Sequence, residues 1–101
     1  MIARTWRGWA RPEDADAYEA HYRSEVLDHL QGVDGFVEAR LLRRVVGDEV
    51  ELISITFFDD LDAVRRFAGP TYETAVVAAP ARQVLLRYDP TVTHHEVTFT
   101  T

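Results

Sequence analysis

The 101-residue chain contains no cysteine. Disulfides, thiolate nucleophiles and zinc sites built on thiolate are therefore excluded, and a reducing compartment is compatible with this usage. Long apolar runs are missing too. The opening stretch MIARTWRGWARPEDADAYEA has no apolar segment of signal-peptide length, and no part of the chain approaches the roughly 20 apolar residues needed to span a bilayer. The expectation is a cytoplasmic protein without a membrane partner. Positive charge is scarce, with 11 basic against 17 acidic residues and a formal net charge of -6. Neutralising phosphates needs a basic face, so nucleic acid is not an expected partner. The local cluster Arg40, Arg43 and Arg44 reads as a solvated strand edge. Gly-rich phosphate loops, flavin and nicotinamide fingerprints and nucleophile elbows are all absent, so no cofactor is expected. Any redox chemistry would have to come from substrate and oxygen themselves.

What is present suffices for one packed domain: 47% of residues are hydrophobic and 28% charged, with no repeat or linker. The domain is taken as residues 1–101. Ile2 to Trp9 reads as a strand closed by Arg11-Pro12. From Pro12, acidic residues in the first turn and Ala15, Tyr18, Tyr22, Val26, His29 and Leu30 at spacings of three and four predict a helix ending near Leu30. Phe36 to Val46 and Val50 to Phe58 form a hairpin across Gly47-Asp48-Glu49. Asp60 can cap a helix from Leu61 to Ala68, stopped by Gly69-Pro70. Beyond it, Tyr72 to Val77 suggests a helical turn or two, Pro80 interrupts, and Ala81 to Arg87 starts a fresh helix. Thr91 to Thr100 alternates as a last strand. This order predicts an α+β fold, the ferredoxin-like βαββαβ plan with a four-stranded antiparallel sheet and helices on one face.

Helices on one face cover only that face, yet Ile2 to Trp9 and Val50 to Phe58 carry large apolar side chains on both. A second copy is the simplest cover for a chain this short, so a homodimer packed sheet to sheet is expected.

Several side chains are candidates for chemistry. His94, His95 and Glu96 stand together, but neighbours on a strand point to opposite faces, so only His94 and Glu96 share a side and no metal site is expected. Trp6, Trp9, Tyr22, Phe57, Phe67 and Tyr72 could line a pocket for a flat apolar or aromatic ligand. Tyr72 follows Gly69-Pro70-Thr71 and would bring a hydroxyl to the cavity mouth. Arg7 is the natural cationic partner for an anionic intermediate, provided its face is the cavity face. Strand period pairs Arg7 with Trp9 and Arg4 with Trp6 and leaves open which pair looks inward. His29 could aim at the cavity or sit at the solvated helix end.

The segments ARTWRGW, PEDADAYE, LLRRVVGDEVELISITFFDDLDAVRRFAGPTYETAVV and HHEV, spread over nearly the whole chain, resemble the antibiotic biosynthesis monooxygenase domain family, within the dimeric α/β-barrel group. The resemblance implies a dimeric barrel with an apolar cavity between sheet and helices in each subunit. Across that group the chemistry ranges over cofactor-independent oxidation of quinol-like aromatics, haem breakdown, isomerisation and lactone chemistry, and some members have no known activity. The chain contains no Asn, so the first-strand Asn of haem-degrading relatives has no counterpart, and no helix histidine of their kind can be matched. Arg11 stands where relatives often carry a capping Ser or Thr before the proline. His94 falls where similar sequences carry a histidine before YEV, with His95 in place of the tyrosine, and the resemblance thereby implies His94 as general base. The expected function is a cofactor-independent monooxygenase acting on an aromatic or polyketide-like substrate, with His94, Tyr72 and Arg7 as catalytic candidates. A non-catalytic dimeric ligand-binding module, or an isomerase or cyclase using the same pocket, is the alternative.

Overall fold

The central strand is the first one. In the computed structural model, which describes residues 1–101, β1 (Ile2–Ala10) is hydrogen-bonded along both edges. One edge meets β3 (Glu49–Phe58) over the full length, and β3 pairs in turn with β2 (Phe36–Val46). The other edge is shared by two short strands, β4 (Arg87–Tyr88) opposite Gly8 and Trp9, and β5 (Thr93–Glu96) opposite Ile2 to Thr5. All pairings are antiparallel, and the sheet order is β2-β3-β1 followed by β4 and β5 in one position. Five strands thus fill the four positions of a ferredoxin-like α+β sheet.

The last strand is shorter and more broken than its alternation predicts. Of Thr91 to Thr100 only Thr93–Glu96 pair with β1, and Pro90, which lacks an N–H, separates them from β4. The backbone beyond Glu96 leaves the regular strand after Val97 N donates to the Met1 carbonyl at 2.8 Å.

Helices pack on one face. α1 (Pro12–His21) starts at Pro12 with no side-chain cap from Arg11, as a side chain without an acceptor requires. It continues through a π-helical turn (Tyr22–Val26) into α2 (Leu27–Gln31) without leaving helical backbone angles. α3 (Leu61–Ala68) begins at Asp60, whose carboxylate accepts from the Ala63 amide at 2.9 Å, and ends at Gly69 with φ of 83°.

The region between α3 and the last strands differs from its sequence reading. Pro70 to Glu73 form a turn, Thr74 bridges to Thr91, residues 75–78 have no regular structure, and α4 spans Ala79–Val84. Pro80 therefore opens this helix instead of interrupting one, because amides of a first turn have no intrahelical partner to lose. Arg87, expected at the end of that helix, pairs in β4.

Register decides which residues face the helices. Ile2, Arg4, Trp6, Gly8 and Ala10 lie beside Phe58, Thr56, Ser54, Leu52 and Val50 on the helix side. Ala3, Thr5, Arg7 and Trp9 lie beside Phe57, Ile55, Ile53 and Glu51 on the other. The interior is divided accordingly. Leu52, Val50, Ala10, Tyr18, Tyr22 and Ala81 form one buried cluster, and Phe58, Leu30, Ala63 and Val64 form a second. Between Leu52 and Phe58 the same face carries Ser54 and Thr56 next to Trp6 and Arg4. A polar belt therefore crosses the sheet between two apolar halves. The fold's local capping can be tested directly: Asp60→Ala is expected to lower the free energy of unfolding by about 1 kcal/mol, read as a lower urea midpoint at unchanged slope.

Candidate functional site

Over that belt the helices do not close on the sheet, and a cavity of two adjoining lobes remains. The inner lobe, about 130 Å³, has Trp6 and Ser54 as floor and Tyr18 and Tyr22 as wall. The outer lobe, about 340 Å³, opens between His21, His29 and Phe67. Arg4, His21, Val26, Val76 and Ala78 line both. The outer lobe lies in the range of small-ligand sites.

Each wall has a local cause. Trp6 lies along its strand, because Gly8 is next on that face. A Cβ at Gly8 would stand 2.9 Å from the indole ring, so only glycine leaves it room. The ring is fixed by its N–H, which donates to the Asp89 carbonyl at 2.9 Å, and by stacking on Tyr18 at 6.1 Å. Burial pushes the phenols of Tyr18 and Tyr22 up from their ordinary value. Tyr22 is partly offset by the Ser54 hydroxyl, which donates to it at 3.4 Å. Both phenols are neutral at physiological pH.

Arg4 is the side chain that sequence reasoning passed over. It is 7% exposed and its Nη1 donates both to the Tyr72 carbonyl at 2.6 Å and to His94 Nε2 at 3.0 Å. Its guanidinium also lies 5.7 Å from the centre of the Phe67 ring. Burial lowers its pKa to about 10, which leaves it cationic at neutral pH. The signal in the sequence was an arginine alternating with Trp6 on a strand with apolar flanks. Such a position is costly for a charge unless something uses it.

His94 stands opposite Arg4 in the β1–β5 register and shares its face, whereas His95 stands opposite Ala3 on the other. A guanidinium has donors only, so Nε2 of His94 must be the acceptor and the proton of the neutral ring sits on Nδ1. Burial depresses the His94 pKa, Arg4 and His95 depress it further, and Glu73 opposes them. The lone pair that a general base would use is thus engaged by Arg4. Tyr72 packs edge-on against His94 at 5.2 Å, with Arg65 at 5.3 Å over its ring.

The expected site residues therefore fall into three groups. Trp6 and Tyr22 line the inner lobe, and Phe67 lines the outer one. His94 and Tyr72 stand behind Arg4 and touch the cavity through it. Arg7, Trp9 and Phe57 lie on the opposite face of the sheet. There Arg7 pairs with Asp89 at 3.2 Å, and Trp9 lies between the Arg7 and Arg87 guanidinium groups at 5.4 and 4.6 Å. The condition set for Arg7, that its face be the cavity face, is not met. His29 does reach the mouth, with its ring 5.1 Å from Phe67.

An antiparallel α+β sheet with one helical layer and a cavity between the two is the class that fold and site define. The particular fold is that of antibiotic biosynthesis monooxygenase-type proteins, in agreement with the resemblance read from the sequence. A protein of Bacillus cereus assigned to the antibiotic biosynthesis monooxygenases superposes with a TM-score of 0.72 at 12% identity, over 100% of this chain and 94% of that one. The ActVA-Orf6 monooxygenase of Streptomyces coelicolor, in complex with the ligand Nanaomycin D, gives 0.66 at 12% identity, over 99% and 89%. SnoaB, a cofactor-independent oxygenase from Streptomyces nogalater, gives 0.62 at 17% identity, over 98% and 95%. No family model and no curated protein matches the chain.

The half-buried His94 has a thermodynamic consequence. Its folded pKa lies below the ordinary value near 6.5, so the unfolded chain binds the proton first as pH falls. The stability that neutral His94 contributes is full above about 6.5 and is lost as pH falls through the depressed folded value. Urea midpoints measured between pH 7.5 and 4.5 are expected to fall less for His94→Gln than for the parent chain across that window.

Proposed function

We propose that the protein is a small oxygenase of the antibiotic biosynthesis monooxygenase type, which oxidises an aromatic, polyketide-like substrate in this cavity without a bound cofactor. The observation that carries the reading is the polar belt. One buried cation with a histidine behind it faces a chamber walled by Trp6, Tyr18, Tyr22 and Phe67. Aromatic walls suit a flat substrate, and a fixed cation stabilises the phenolate or enolate from which an electron can pass to oxygen. In the overall step the substrate loses two hydrogens and gains one oxygen atom, and the second atom of O2 leaves as water. As the substrate hydroxyl or enolisable C–H approaches and its developing negative charge takes over the Arg4 N–H now given to His94, Nε2 of His94 is released and accepts the proton the substrate loses. Tyr72, bonded to Arg4 through its carbonyl and packed on His94, holds both in place. The likeness to SnoaB and to ActVA-Orf6 supports the same reaction class.

A panel of quinols and dihydroxynaphthalenes, followed by oxygen uptake and by product mass under 18O2, tests this. One label in the product and one in water is the expected result for at least one compound, with His94→Ala slowing turnover by about 100-fold or more. A product of unchanged mass identifies an isomerase or cyclase instead. The lone pair of His94 already engaged by Arg4 favours a second reading, a ligand-binding module without turnover. Tight binding with no uptake would establish it.

We also propose a homodimer through the helix-free face, where Ile53, Ile55 and Phe57 of β3 and Ala3 and Thr5 of β1 make a half-buried apolar strip. No helix of the chain packs there. Sedimentation velocity is expected to give twice the chain mass, and Ile55→Glu, which puts a charge at the middle of the strip, is expected to shift it to the monomer. A parent chain that sediments as monomer overturns the assignment.

A further inference from the structure

Eleven arginines are the only fixed cations of side chains in this protein, and eight of them lie within 4.0 Å of a carboxylate. Arg66 and Arg82 are exposed and need none. Arg4 is the exception that matters. It is the one buried arginine, and a chain with 17 acidic residues places no carboxylate against it.

Its hydrogen bonds leave capacity unused. Of five N–H donors, only those of Nη1 are engaged, by the Tyr72 carbonyl and His94 Nε2, both neutral acceptors. No fully buried side-chain nitrogen or oxygen in the molecule lacks a partner. Nε and Nη2 of Arg4, which have no protein acceptor, therefore keep accessible surface, and the open space beside Arg4 is the cavity it lines. Burying most of a cation without a counter-ion is costly, and an anionic ligand recovers that cost as binding selectivity.

The rest of the mouth adds one acid and no second arginine. His21 and His29 flank the outer lobe, and its one acid, Glu25, is turned toward His21 at 3.7 Å. Beyond these groups the lining is apolar and aromatic.

We propose that the natural ligand is an aromatic anion, a carboxylate or an ionised phenol or enol on a flat apolar body, and that Arg4 is the residue that selects it. The inference rests on the cavity reading given above and names its substrate class. The anion takes the free Nε and Nη2 edge of the guanidinium while the rings fill the space against Phe67 and Trp6. Arg4 thereby works as a specificity-determining residue, set at its angle in the free protein by Tyr72 and His94.

Two pairs of probes separate the sources of charge. 2-Naphthoate against 2-naphthamide tests a carboxylate. 2-Hydroxy-1,4-naphthoquinone, ionised at pH 7.5, against its 2-methoxy ether tests an enolate. Calorimetric titration of the parent chain is expected to show the charged member of at least one pair binding about tenfold tighter or more. That preference should fall to within about twofold in Arg4→Met and return in part in Arg4→Lys, which restores the charge without the fork. Should neither variant fold, the preference in the parent chain decides alone. Equal affinity within both pairs overturns the anion assignment and leaves the cavity reading standing. A folded Arg4→Met that keeps the preference also overturns it, and absence of binding by all four compounds overturns the anion assignment and the cavity reading together.

Discussion

Removing a guanidinium from water costs several kcal/mol, and a fold that buries one must supply acceptors from wherever the chain can bring them. For Arg4 they come from parts of the chain far from it in sequence: the face of Phe67 on α3 and the Tyr72 carbonyl in the turn after it, and His94 on β5. These contacts fasten the turn and the last strand to the centre of the sheet. The turn at Pro70 to Glu73 is tied down again at its end, where the Glu73 carbonyl accepts from the Val92 amide at 2.9 Å, and β5 is only four residues long. The charge organises the site by requiring company.

The cavity follows from the same belt. Side chains at alternate positions of β3 read Leu52, Ser54, Thr56, Phe58, so the helix-facing surface is apolar at both ends and polar in the middle. Helices seek the apolar ends, where Tyr18 and Leu30 pack, and have nothing to gain by collapsing onto the middle. Two small cores separated by a polar strip leave a chamber without any special loop to line it. Proteins that share this architecture at 12 to 17% identity need share only the spacing of polar and apolar positions, and their chemistry can change with a few side chains.

Much of this was legible in the sequence because it depends on local periodicity. The hairpin, the long first helix and the Asp60 cap rest on signals within a few residues, and they stand where the spacing puts them. Which face of β1 looks inward was not legible, since a period of two pairs Arg4 with Trp6 and Arg7 with Trp9 but carries no sign. That sign is set by β3, whose register places Thr56 and Ser54 beside the first pair. Phe57 and Phe58 show the same ambiguity: one is core and its neighbour faces away from the helices. Pro80 was misread because a proline inside a helix and one at its first turn look alike until the start of the helix is known. The role of Arg4 depends on Tyr72 and His94, at separations of 68 and 90 residues, beyond the reach of any local pattern.

The π-helical turn at Tyr22–Val26 gives the cavity wall a property of its own. Such a turn bonds i to i+5, widening the helix locally, and in α-helices it recurs at functional sites. Tyr18 and His21 precede it, Val26 closes it and His29 lies beyond it, all of them on the cavity. His21 and Val26, at the two ends of the turn, line both lobes, so the turn lies where the lobes join. A deletion of one residue in this turn would close the widened turn and shift Tyr22 to Val26, altering both lobes while leaving the sheet and the belt as they are. Length, as well as side-chain identity, is a variable by which this wall can be tuned.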